Sequence, residues 1–148
     1  MEIQHANNAG FVHGGTIMRL VDNTAGIAAA KHSRGRAVTA AMDEMSFVTP
    51  VHIGNVVTVR AMVNDAHHTS MEIGVRVEAE NIRSGEIRHV SSAYLVFVAI
   101  DDQGRPVPVP PVLAESSDER RRQHQAQIRR EQRLIRKRAI DEAGRRDA

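Results

Sequence analysis

Apolar and polar positions change their period along this chain. Over residues 14–32 they repeat as a helix does: Ile17, Leu20, Val21, Ala25 and Ala28 gather on one arc at about 100° per residue, with Arg19 and Asn23 opposite. Gly14-Gly15 marks the start of this helix and Gly35 its stop. The period then shortens to that of strands. Residues 69–81 set Met71, Ile73, Val75, Val77 and Ala79 against Glu72, Arg76, Glu78 and Glu80. Residues 55–65 place Val57, Val59, Ala61 and Val63 on one face. Residues 86–100 turn apolar on both faces toward their end, as a central strand does. The stretch RAVTAAMDEMSFV, 36–48, is rich in β-formers but alternates irregularly, which predicts a bulge.

The connectors 50–54, 64–68, 81–85 and 101–104 are short and turn-like, so neighbouring strands should pair antiparallel. One long helix followed by four long strands is an α+β inventory. A single helix covers one face of such a sheet only if the sheet curls around it. After VPVPPVL, 107–113, the character changes, since its prolines cannot make central ladder pairs. Ser116-Ser117-Asp118-Glu119 fits a capping box, and a charged helix is predicted from there to about Ile140. Its apolar residues (Ala126, Ile128, Leu134, Ile135, Ala139) are too few for a strong buried stripe, so a solvated or partly frayed helix is expected ahead of a nucleic-acid or membrane tether. The chain divides accordingly into a domain over 1–114 and a helical extension over 115–148.

Charge follows the same division. The net +2 splits into −2 over residues 1–114, nine Lys/Arg against eleven Asp/Glu, and +4 over 115–148, eleven against seven. The basic balance thus belongs to the extension. Cysteine is absent, which excludes disulfides, thiolate metal sites and cysteine nucleophiles. Aromatics make up 3% of residues with no tryptophan, leaving little for base stacking. The opening MEIQHANNAG has no basic segment followed by an apolar run, and no stretch approaches a membrane span, so a soluble, cytoplasmic protein is expected. Eight histidines show no HxH or HExxH spacing, so no metal site is expected. No G-x-S-x-G elbow and no P-loop is present either.

One residue resists the pattern. Asp22 falls at the border of the helix's apolar face, among Gly15, Met18, Ala25, Gly26 and Ala29. A carboxylate there is costly without a partner. Either it accepts hydrogen bonds from a neighbouring strand or subunit, or it does chemistry over the shallow groove that small neighbours leave. Gly14-Gly15 offers unpaired N–H groups at the positive end of a helix, where a developing oxyanion can be held. Asn7-Asn8-Ala9-Gly10 and His13 precede it, His13 either capping the helix or touching substrate. An acid, an amide and an N–H nest are parts suited to acyl transfer or hydrolysis.

The stretch NNAGFVHGGTIMRLVDNTAGIAAAKH resembles the acyl-CoA hydrolases of the HotDog superfamily, in their cytosolic acyl-CoA thioesterase branch. The positions that carry the resemblance are Asn7, Gly10, His13-Gly14-Gly15, Asp22 and Ala25-Gly26, with VTAAMDEMSF (38–47), the 50–54 loop, TSMEI (69–73) and SSAYLVFVAID later in order. It implies a HotDog fold, a homodimer with a continuous sheet that often assembles further into trimers of dimers, and hydrolysis of acyl-CoA to fatty acid and CoA. Coenzyme A enters only as part of substrate and product, and no cofactor is implied. The resemblance also implies active sites at the dimer interface, Asp22 of one subunit facing Asn7 of the other, with N–H groups around His13, Gly14 and Gly15 as oxyanion donors. Asp22 would be general base or nucleophile. Arg83 and Arg88, with Arg60 and Lys31 behind them, are candidates for the CoA phosphates, and Ser70 and Ser91 for the pantetheine amides. Ahead of Asn7 only six residues stand where relatives carry a fuller strand. The alternative is a non-catalytic acyl-CoA-binding module on the same fold.

Overall fold

A computed structural model describes residues 1–146. Its elements are α1 (Gly14–Ser33), β1 (Arg36–Phe47), β2 (Val56–His67), β3 (Ser70–Glu80), β4 (Ile87–Ile100) and α2 (Ser117–Arg146). The strands form one antiparallel sheet in the order β1-β4-β3-β2, so the strand that is apolar on both faces, β4, is central, as its pattern requires. The alternating residues of β3 face α1: Met71, Ile73, Val75 and Val77 are buried, together with Ala93, Leu95, Phe97 and Ala99 of β4 and Ile17, Val21, Ala25 and Ala29 of α1. The buried line of the helix thus runs at i, i+4 through Ala25 and Ala29. Both lie in the core rather than in an open groove, and Gly26 lies against the Phe97 ring.

The irregular strand is bulged twice. The register of β1 on β4 slips between Thr39 and Ala41 and again between Met42 and Glu44. The positions facing α1 are therefore Ala37, Thr39, Met42 and Met45, opposite Ala99, Phe97, Leu95 and Ala93. Two further boundaries differ from expectation. Asn64 to His67 continue β2 instead of turning, because a register shift after Val63 absorbs the break in alternation, leaving a tight turn at His68 (φ 49°). The stop of α1 is Arg34, held left-handed at φ 57°, one residue ahead of the glycine.

The extension is solvated over much of its length, with residues 134–145 exposed, but its first half is docked on the sheet. The capping box forms as predicted: Glu119 N–H donates to Ser116 Oγ (3.1 Å), while the Glu119 carboxylate accepts from the N–H groups of Ser116 and Glu115 (2.9 Å each). From there α2 lies across the face of the sheet that α1 leaves open. Ala126 is 1% exposed. Arg129 forks onto Glu72 (2.7 and 3.1 Å) and lies 3.6 Å over the Tyr94 ring; Gln123 donates to Asp65 (3.0 Å), and Arg133 pairs with Asp43. The charge asymmetry of the sequence is thus partly resolved inside the molecule, arginines of the extension meeting carboxylates of the sheet. Few apolar residues suffice because the contact is charged. No helix among the described residues is long and apolar enough to cross a membrane.

Candidate active site

The start of α1 is built by its own N-cap. Val12 N–H donates to Val51 (2.8 Å) and His13 N–H to the His5 carbonyl (2.7 Å), fixing the approach of the chain. His13 is the N-cap residue, and its Nδ1 accepts the Gly15 N–H at 3.0 Å. A side chain at position 15 would put Cβ 3.1 Å from that nitrogen, so the capping ring would have to give by a few tenths of an ångström. The Gly15 N–H is thereby consumed, and Thr16 N–H goes to the His13 carbonyl (2.9 Å). Among the described residues no hydrogen bond takes the Gly14 N–H, which is left at the positive end of the helix beside the Phe47 ring.

Asn7 sits in a tight loop. Its Oδ1 accepts from the N–H groups of Ala9 (2.9 Å) and Phe11 (3.2 Å), and its backbone pairs with Phe11 and Gly10. The oxygen is thus occupied, and among the described residues no hydrogen bond takes the Nδ2 donor. Asn7, Asn8 and His13 line an open hollow of about 450 Å³ with Ala6 and Ala9. The chain before it forms a short 3-10 turn, Ile3–His5, and an isolated bridge from Ala6 to Val12, where a strand could stand.

Asp22 lies two turns into α1 and is half-buried. It does not line the hollow of Asn7. Its Oδ1 accepts from the hydroxyl of Thr39 at 2.6 Å, and among the described residues this is its one hydrogen bond. Oδ2 is left available. Thr39 is the residue that pattern reading overlooked. It is the one hydroxyl among the helix-facing positions of β1, two residues after Ala37 and just ahead of the first bulge, and only the packing of β1 on α1 brings it to Asp22.

The remaining candidates are scattered. Ser70 Oγ donates to the His67 carbonyl (3.1 Å), and Ser91 is fully enclosed. The Arg88 guanidinium is clasped by Glu86 (2.8 and 3.0 Å), and Arg60 pairs with Glu78. Arg83 stands exposed in the turn before β4, and Lys31 is exposed near the end of α1; among the described residues neither forms an ion pair. Within one chain, then, the acid with its threonine and the amide with the helix start form two separate halves.

Comparison with known proteins follows that geometry. The chain is 37% identical over 115 residues to the cytosolic acyl coenzyme A thioester hydrolase of Rattus norvegicus, covering 76% of this chain and 30% of that protein. The present chain therefore spans less than a third of the length of this relative. A crystal structure of an apo-hexameric acyl-CoA thioesterase superposes with a TM-score of 0.89 at 32% identity, covering 92% of this chain and 87% of the other. The acyl-CoA hydrolase of Staphylococcus aureus, solved with butyryl coenzyme A, coenzyme A and coenzyme A disulfide, does so at 0.87 and 32%, covering 97% and 87%. Alanine variants of that enzyme at an asparagine, at an aspartate 15 positions later and at a threonine 17 positions later again superpose at 0.89, 0.88 and 0.87. The description "Thioesterase superfamily" matches residues 9–86, more than half of the chain, and with its helix wrapped by a curved antiparallel sheet the chain belongs to that superfamily and has the HotDog fold.

Proposed function

We propose that this chain is an acyl-CoA thioesterase, hydrolysing acyl-CoA to a free carboxylic acid and coenzyme A. The observation that carries the reading is the Asp22 carboxylate, held at one oxygen by Thr39 and free at the other. Asn7, Asp22 and Thr39 stand 15 and 17 residues apart, the spacings of the three positions replaced in the S. aureus enzyme. Residues 1–114 form the catalytic domain and 115–148 its extension.

Thr39 donates to Oδ1 and so aims Oδ2 away from β1. Oδ2 acts as general base toward a water or as nucleophile on the thioester carbonyl. The Gly14 N–H, beside the His13 cap, receives the developing oxyanion. Asn7 Nδ2 donates to the water or the carbonyl. A thiolate leaves without a strong acid, and the reaction calls for no cofactor. Arg83 and Arg88 serve the CoA phosphates, Arg88 only on leaving Glu86; Ser70 and Ser91 are offered to pantetheine, Ser91 on local opening.

The two halves of the site meet through a second copy. The outer edge of β1 is an unpaired strand of 12 residues, flanked by exposed Val38, Phe47 and Val48 and, on α1, Met18 and Ile27. An open edge with apolar neighbours is a pairing surface. Two chains joined there bring Asp22 of one toward Asn7 of the other, and three such dimers would give a hexamer, the state of one structural relative. We place the reaction in the cytoplasm, where the rat relative's name puts that protein.

Free-thiol release from a panel of acyl-CoAs tests the reading. Wild type is expected to turn over, and Asp22→Ala and Asp22→Asn, folded and oligomeric, to lose about 10²-fold or more. Binding without thiol release would instead make the chain a non-catalytic acyl-CoA-binding module. Label found in Asp22 after a single turnover in ¹⁸O-water would establish the nucleophile route, in which water opens the mixed anhydride at the Asp22 carbonyl.

A further inference from the structure

Thr39 reaches Asp22 from a strand that is held from the far side of the sheet. The helix-facing positions of β1 run 37, 39, 42 and 45 because Ala40 and Asp43 are extra residues in its ladder. In an unbroken strand, alternation would put residues 39 and 42 on opposite faces. A bulged residue is unpaired and leaves the ladder locally disrupted, so the bulged geometry needs support from outside the strand.

At the second bulge that support is visible. The Asp43 side chain, 9% exposed, is ion-paired with Arg133 of α2, itself 23% exposed. One turn earlier Arg129 forks onto Glu72 of β3, 7% exposed, and covers Tyr94 of β4. Arginines four residues apart thus fasten one helix to β1, β3 and β4 together. Tyr94 is also the ladder partner of Glu44, the residue after the bulge. The strap therefore grips both sides of the same irregularity.

We propose that Arg133 and Asp43 are positioning residues of the site: their pair pins the second bulge of β1 and, through the two residues between, the first, so that Thr39 presents its hydroxyl to Asp22. The proposal rests on the thioesterase reading of Asp22. It gives the basic extension a role in the reaction that no contact of its own with the site would suggest. Neither residue touches the reacting atoms, so their effect is on geometry, where a displacement of about 1 Å can cost 10²-fold.

The test compares Asp43→Ala, Arg133→Ala, Arg133→Lys, Thr39→Ala and the double variant Thr39→Ala/Asp43→Ala in the full chain. It reads kcat and KM for thiol release and amide hydrogen exchange over residues 39–43. Asp43→Ala and Arg133→Ala are expected to lower kcat about tenfold or more, with KM within about threefold of wild type, and to speed exchange at 39–43. Arg133→Lys recovers most of the loss. The double variant is no slower than Thr39→Ala alone, since both changes act through one hydroxyl. Asp43→Asn, which keeps volume and an acceptor, replaces any variant that fails to fold. Wild-type kcat in both single variants, or losses that multiply in the double variant, would overturn the proposal. Should wild type release no thiol, the thioesterase reading falls by itself. Exchange at 39–43 then decides the strap, and unchanged protection in Arg133→Ala overturns it.

Discussion

The Asp22–Thr39 hydrogen bond gives the carboxylate a partner that a helical wheel does not show. A carboxylate at the border of an apolar face is explained by a partner or by chemistry; here a single partner takes one oxygen and leaves the other. His13 shows the reverse. Its ring caps the helix through Nδ1, so what it offers the site is the placement of the first turn, with Gly14 as the open amide. Arg34 marks a residue-scale compromise. It holds a left-handed conformation in which a Cβ is costly, one position short of a glycine. Arg34→Gly is expected to stabilise the chain by about 0.5–1 kcal/mol, raising Tm by about 2 °C in a thermal melt. A fall in Tm would mean that the Arg34 side chain makes a stabilising contact that glycine lacks.

At the scale of elements, α2 carries its own start signal and borrows its support. The N–H groups of Ser116 and Glu115, with the Ser116 hydroxyl, hold the Glu119 carboxyl below its ordinary value of 4.5. The folded value lies below the unfolded one, so the contribution is present above the ordinary glutamate range and is lost as pH falls through the folded value. The amide resonances of Glu115 and Ser116 are therefore expected to titrate with a midpoint below 4.5, and Glu119→Gln to abolish that transition. A midpoint at or above the ordinary value would mean the box does not form in solution. In β1 the element-scale fact is the double bulge. It turns a strand that reads as irregular into one that seats Ala37, Thr39, Met42 and Met45 against the helix while sending Asp43 to the opposite side.

At the scale of the whole molecule, the proposed reaction divides the site into two halves on each chain. Asn7 and the start of α1 line one hollow, and Asp22 stands elsewhere on the same helix. If two copies complete each site, Asn7→Ala and Asp22→Ala chains should each be inactive alone yet complement each other. After unfolding and refolding together in equal amounts, half of the dimers would be mixed, each with one intact site, restoring about a quarter of wild-type thiol release. No recovery in the mixture, with mixed dimers demonstrated by mass, would place both groups in one chain's site.

The alternation of β3, the two apolar faces of β4 and the 3.6-residue period of α1 were legible because each element answers to its own local pattern, and those patterns fix an antiparallel sheet around one helix. Asn7, His13, Gly14, Gly15 and Asp22 stood out as candidates for a related reason: helix starts and carboxylates on apolar faces are local exceptions against a period. Thr39 and the docking of α2 were not legible. The first depends on which strand position packs over Asp22, 17 residues away in sequence, and the second on charges that meet across 57 and 90 residues of sequence. A pattern along the chain records what each segment prefers. Which carboxylate meets which hydroxyl or guanidinium is decided only when the segments are packed, because those energies belong to pairs distant in sequence.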